Sequence, residues 1–397
     1  MFPLNAVIIH HSQATPEPLR LGLIDNAVTI AEEFPTVDAM LQRWPSLPDT
    51  TRRLIVIQLR SISDVEKLSR LEGHFPGWPV LAVVEGDVDT TALFRVSRAG
   101  ASQILPYPFD PVELEKSLDR LLLQFGLRES PSIVIAISGV VEGCGATSLS
   151  INLAAELAAI GELPVVLTEM SLGMGRLATQ LDLNPTMTTR ELLTDGVDPN
   201  LAAVKAALTA YNDHLFVLAG QTKSLDRFTP PPGRLHKVVR CLRQVSNFII
   251  MDMPYTFDPD YFQALSEADQ IFLVTRQNVP SVQSAKVIRD ALFEKGIKDI
   301  GLIVNQYDSE LKSFSTTALK DLLQLNPVVP VADDGPGHQA AIHQARLLRE
   351  VVPASRSITD IRALAATILE QSHFPVHLPI IPIWDRLKTA LNRFRNS

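Results

Sequence analysis

The stretch SIVIAISGVVEGCGATSLSINLAAELA, residues 132–158, decides how the chain is read. Ser132 to Ile137 is a continuous apolar run of strand length. Ser138 to Ser148 is a glycine-rich loop. Leu149 to Ala158 has the composition of a helix. Strand, glycine-rich loop, helix is the setting in which backbone N–H groups and a helix N-terminus cradle phosphate oxygens. The candidate phosphate-facing residues are Gly139, Gly143, Cys144, Gly145, Ala146, Thr147 and Ser148, with the Thr147 hydroxyl placed to ligate Mg2+. The loop departs from GxxxxGK[ST]: Ala146 stands where the lysine belongs, and Val140 takes the first glycine position with Gly139 one place early. Taken alone, these residues also suit an ordinary glycine-rich turn.

Working outward, more strand runs follow. Pro164 to Ser171 (PVVLTEMS) carries Glu169 at its end. Phe248 to Pro254 (FIIMDMP) is an apolar run closing on Asp252, the pattern of a carboxylate that holds Mg2+ through water. Ala268 to Thr275 and Gly301 to Asp308 (GLIVNQYD) are further strands. Strands alternating with helices imply a parallel sheet covered on both faces. Together these segments resemble the MinD/ParA superfamily, over about Ser132 to Gln371. That resemblance implies a P-loop α/β fold, ATP or ADP with Mg2+ as ligands, and a mostly parallel sheet. It sets Glu169 at the carboxylate that positions attacking water, with Asp252 as its catalytic companion. It sets Asn305 at the adenine edge. Members carry a second, signature lysine near the start of the loop; here that place is Val141, followed by Glu142. With both lysines missing, poor hydrolysis or none is the expectation. An active ATPase switch would need Arg176 or Arg276 to replace them.

Residues 1–125 also alternate apolar runs (Ala6–Ile9, Ala27–Ile30, Leu54–Ile57, Pro79–Val84, Gln103–Leu105) with helical patterns such as Val88–Ala99 and Pro111–Gln124. Five strands and a closing helix predict a flavodoxin-like doubly wound domain. The ending AGASQILPYPFDPVEL resembles a response-regulator receiver domain. The acidic-pair position is His10 and His11, the phospho-acceptor position is Gln58, and the lysine position is Tyr107. An amide cannot be the phosphorylated carboxylate, so a receiver-like fold without receiver chemistry is expected, used for protein contact near Tyr107 and after Gly86. The histidine pair reads as one half-buried and one wet residue at a strand end. Phe125–Pro131 reads as a linker.

The order of segments, ending in EADQIFLVTRQNVPSVQSAK and PVADDGPGHQAAIHQARLLREVVPAS, is similar to the CpaE/TadZ family of Tad (Flp) pilus assembly proteins. The likeness runs from about residue 4 to 370. It implies a cytoplasmic scaffold that places a pilus or secretion machine, often at a cell pole, beside a separate secretion ATPase, and it implies a homodimer.

Residues 372–397 read as a proline-rich linker and a basic amphipathic tail. Trp384, Leu387, Leu391 and Phe394 share a helical face, with Lys388 and Arg393 on other sides. Such a segment suits docking on the inner-membrane surface or on a partner protein.

The chain has 397 residues, 46% hydrophobic and 20% charged, with net charge −8. That size favours two domains, and the acidic balance gives no reason to expect nucleic acid. Two cysteines without a CxxC pair fit a reducing compartment. The start MFPLNAVIIHHSQ lacks a signal-peptide pattern, and no apolar run approaches the ~20 residues a spanning helix needs. A cytoplasmic location is the expectation.

Overall fold

The computed structural model describes residues 4–11, 15–26, 28–44, 53–60, 64–85, 90–125, 132–170, 174–194, 196, 199–221, 229–231, 233–256, 259–374 and 376–377. The tail residues Trp384, Leu387, Lys388, Leu391, Arg393 and Phe394 lie outside them, as do Ser171, Gly86 and the segment 126–131. The chain divides into two compact units, Met1–Pro131 and Ser132–Ser397.

The first unit runs β1 (Leu4–Ile9), α1 (Glu17–Asp25), β2 (Val28–Phe34), α2 (Val37–Arg43), β3 (Arg53–Leu59), α3 (Val65–His74), β4 (Val80–Glu85), α4 (Thr90–Arg98), β5 (Gln103–Tyr107) and α5 (Pro111–Gln124). Its strands are parallel in the order β2-β1-β3-β4-β5. Alternate residues of β3 serve opposite faces, as the period of two requires. Ile55, Ile57 and Leu59 join one core with Met40, Leu68 and Val96. Leu54 and Val56 join another with Leu19, Leu23, Leu114 and Leu118. Gln58 is 1% exposed, and both polar atoms of its amide lack a hydrogen-bond partner among the described residues. The histidine pair is more enclosed than its sequence suggests. His10 is buried and His11 half-buried, because His11 Nε2 lies 2.9 Å from Glu85 Oε1 while Arg60 Nε donates to its Nδ1 at 3.0 Å.

The second unit runs β6 (Ile133–Gly139), α6 (Ala146–Gly161), β7 (Val165–Glu169), α7 (Leu177–Gln180), α8 (Thr189–Leu193), α9 (Leu201–Ala207), β8 (Thr209–Ala210), β9 (Leu215–Leu218), α10 (Arg234–Val245), β10 (Phe248–Met253), α11 (Pro259–Ser266), β11 (Gln270–Thr275), α12 (Val279–Glu294), β12 (Ile300–Tyr307), α13 (Thr316–Leu323), β13 (Val328–Ala332), α14 (Gly335–His343), α15 (Leu348–Val351) and α16 (Arg356–Gln371). The sheet order is β13-β12-β11-β6-β10-β7-β9-β8, and every pairing is parallel except β8 with β9. The first strand of this unit, β6, sits mid-sheet, with β7 to one side and β11 to the other. The crevice beyond its carboxyl end is where open α/β sheets take ligands.

Helix α6 is apolar nearly all round and correspondingly buried. Its one buried charge, Glu156, is 0% exposed and is met by Arg362 Nε of α16 at 2.7 Å and Arg349 Nε of α15 at 3.6 Å. This ion triad ties the loop-bearing helix to the C-terminal helices. Among the described residues no helix is long and apolar enough to cross a membrane.

Candidate functional site

Strand register assembles the site. Asp252 of β10 pairs with Ile137 of β6 on one side and with Glu169 of β7 on the other. Both carboxylates therefore lie at the carboxyl end of the sheet, from which the glycine-rich loop departs. Asn305 joins them from β12.

The loop owes its shape to two left-handed glycines, Gly143 at φ 71° and Gly145 at φ 93°, a region that only glycine enters without strain. A Cβ at Gly145 would overlap the Asn305 amide, and one at Gly139 would sit 2.8 Å from Cys144 Sγ. Glycine at these places is what lets the two side chains in. Cys144 is 1% exposed, and burial pushes its thiol up from the ordinary range. It packs in the apolar core with Ile137 and Leu149, so it is a space-filling residue. Asn305 Nδ2 donates to the Cys144 carbonyl at 2.8 Å. The sequence placed Asn305 at an adenine edge. In the folded chain its amide fills the space beside Gly145 and bonds the loop backbone.

Asp252 is 5% exposed and accepts from Thr147 Oγ1 at 2.9 Å and Ser150 Oγ at 2.8 Å. Its pKa is raised from 3.8 to about 7, first by burial and further by the charge of Glu169, against the pull of the two hydroxyls and of Arg176. Ser150 escaped the sequence reading. The signal was present, since Thr147 and Ser150 are three apart on one helix and share a face.

Glu169 is held by the backbone around it. Here Oε1 accepts the Arg176 N–H at 2.6 Å, while Oε2 accepts those of Gly220 at 3.0 Å and Leu177 at 3.4 Å. The backbone closes on it because Gly175 and Gly220 have no Cβ: one added at either would lie 2.5 or 2.8 Å from Oε2. Burial raises its pKa, and the three N–H groups and Arg176 offset part of the rise. The Glu169 side chain ties the segment at Arg176 and Leu177 to Gly220. Of the two arginines considered as replacement cations, Arg176 acts electrostatically on both carboxylates.

The fold thus gathers Gly139, Gly143, Cys144, Gly145, Ala146, Thr147, Ser148, Glu169, Asp252 and Asn305 at the carboxyl end of the sheet. Two of its features fit a Mg–nucleotide. The left-handed glycines lead into the N-terminus of a long helix, whose first N–H groups have no intrahelical acceptor. Thr147 Oγ1 and Asp252 Oδ2 also stand 2.9 Å apart, two oxygens of the kind that would hold a hard cation. Val141 and Ala146 are uncharged, and the Glu169 carboxylate accepts backbone N–H groups of Arg176 and Gly220.

No family model matches the chain. It is 27% identical over 249 residues to the septum site-determining protein MinD of Bacillus subtilis, spanning 60% of this chain and 89% of that one. The cell division ATPase MinD of Pyrococcus furiosus superposes with a TM-score of 0.52 at 21% identity, covering 60% of this chain and 99% of that one. MinD of Pyrococcus horikoshii, solved with Mg-ADP, gives a TM-score of 0.51 at 21% identity over 60% of this chain and 95% of that one. The second unit therefore has the MinD/ParA-type ATPase fold, α/β with a mostly parallel sheet. Its sequence likeness to MinD points the same way.

Proposed function

We propose that this protein is a localisation and assembly scaffold of the CpaE/TadZ kind for a Tad (Flp) pilus or secretion machine. Its MinD-like domain binds Mg-ATP or Mg-ADP weakly and hydrolyses ATP poorly or not at all. One observation carries the second half of this reading: the Glu169 carboxylate is bonded to the N–H groups of Arg176, Leu177 and Gly220. No charged side chain at Val141 or Ala146 supplies the stabilisation on which phosphoryl transfer chiefly depends. The scaffold half rests on the order of sequence segments. The five-stranded order of the first unit supports a receiver-like domain, and Gln58 at the acceptor position supports its use in contact with the secretion ATPase or other machine components rather than in phosphotransfer. Location at the cytoplasmic face or cell pole, a homodimer, and membrane docking through the tail belong to the same proposal.

A second reading, an ATPase switch cycling between monomer and dimer, draws on Arg176, whose charge acts on both site carboxylates. Calorimetry with Mg-ATP and Mg-ADP, followed by phosphate release over hours, separates the two. Weak binding without turnover supports the scaffold; steady turnover lost in Arg176→Ala supports the switch. Deletion of the gene in its own cell tests the machine, and normal pili in the deletion strain would overturn the pilus assignment.

A further inference from the structure

Away from the glycine-rich loop, a trough of about 500 Å3 opens between α11 and the C-terminal end of α12. Pro259, Phe262, Gln263 and Ser266 form one wall, with Lys295 and Ile297 opposite. Lys295 is the one charged residue of this lining, and its Nζ stands 4.7 Å from the centroid of the Phe262 ring. The ring is half-buried, whereas Pro259, Ser266 and Lys295 are exposed. An aromatic floor beside an exposed ammonium is an apolar anchor site that carries one positive charge. The open shape suits a stretch of polypeptide laid along it better than an enclosed small ligand.

We propose that this trough docks a partner protein through a short acidic segment. A large apolar side chain of that segment packs on Phe262, Pro259 and Ile297, and a neighbouring carboxylate takes the Lys295 ammonium. The carboxylate would draw the ammonium off the ring and leave the ring face to the anchor. The trough is also joined to the glycine-rich loop. Tyr261, next to Phe262 and in edge contact with it at 5.2 Å, hydrogen-bonds through its buried hydroxyl to Ser138 Oγ at 2.7 Å. Ser138 immediately precedes Gly139. The docking surface is independent of whether the loop binds nucleotide, so it stands or falls separately from the function proposed above.

The test is a selection of displayed 12-residue random peptides on the full-length protein, with anisotropy titration of the winners made as synthetic peptides. The expected result is a consensus of one Asp or Glu beside a large apolar residue. Affinity should fall at least tenfold in Lys295→Glu and in Phe262→Ala, and stay unchanged in Lys320→Glu, an exposed lysine of α13. Lys295 is exposed, so its reversal leaves folding intact, and a peptide with Lys in place of its carboxylate should regain binding to Lys295→Glu. Failure to select any peptide, winners without a carboxylate, or winners indifferent to both substitutions would overturn the proposal. So would free glutamate competing as well as the peptides, which would make the trough a small-molecule site.

Discussion

Asp252→Asn should make this protein more stable in alkaline buffer, although it removes a carboxylate that two hydroxyls serve. In the folded chain Asp252 is enclosed and beside Glu169, which moves its pKa from 3.8 to about 7. A carboxyl with a raised folded-state pKa binds its proton more tightly when folded. The resulting stabilisation is complete below the unfolded pKa and is lost as pH rises through about 7. At 1.36 kcal/mol per pKa unit, ionised Asp252 costs the native state about 4 kcal/mol at pH 8.5, and about 3 kcal/mol of that accrues above pH 5. An asparagine never ionises. Its Oδ1 accepts one hydroxyl, and the other can rotate to accept from its NH2, so the hydrogen-bond loss stays near 1 kcal/mol. Urea unfolding of both proteins in EDTA, from pH 5 to pH 8.5, measures the difference. Glu169 titrates in both and largely cancels. The wild-type protein should lose stability with rising pH much more steeply than the variant, and the variant should be the more stable at pH 8.5. Parallel pH profiles, or a variant weaker at pH 8.5, would refute the assignment of Asp252 as a buried, charge-strained carboxylate.

Glu156→Ala leaves Arg349 and Arg362 facing an empty, buried position, so unfolding free energy should drop by about 3–5 kcal/mol; a loss below about 1 kcal/mol in urea titration would mean that α6 and α16 do not depend on the triad. Gly220→Ala drives a methyl to within 2.8 Å of Glu169 Oε2 and should cost about 1–3 kcal/mol, read as a lowered thermal midpoint. Cys144 and Cys241 are both buried, and burial raises the Cys144 thiol, so the native protein should show almost no reaction with a disulfide reagent at pH 8 until denaturant is added. Asn305→Ala removes the donor to the Cys144 carbonyl, and hydrogen exchange in 143–148 should quicken while the centre of the sheet stays protected.

Much of the architecture is legible in one dimension because buried parallel strands write themselves as unbroken apolar runs. IVIAIS, VVLT and FIIMDM each stand in the sheet where their composition puts them. Shorter or interrupted strands are not legible in this way. LFVL at 215–218 has four residues, and 328–332 contains Pro330; both are strands because a neighbour's edge accepts them. The second-strand segment of the first unit begins at Val28 and runs on to Phe34 through two glutamates, which apolarity alone would have cut short.

The site divides along the same line. Residue types and local order sufficed to show a glycine-rich loop opening a helix, an acid closing an apolar strand, and the absence of lysine at positions 141 and 146. These properties depend on covalent sequence and on backbone preferences that act over a few residues. The sequence could not show that Glu169 folds back onto the amides of Arg176, Leu177 and Gly220, that Asn305 crosses 161 positions to the Cys144 carbonyl, or that Ser150 shares Asp252 with Thr147. Those partners are chosen by strand order and by side-chain reach once the sheet has formed. A buried carboxylate or amide takes whichever donors the closed fold leaves beside it, since leaving it without any is the costlier arrangement.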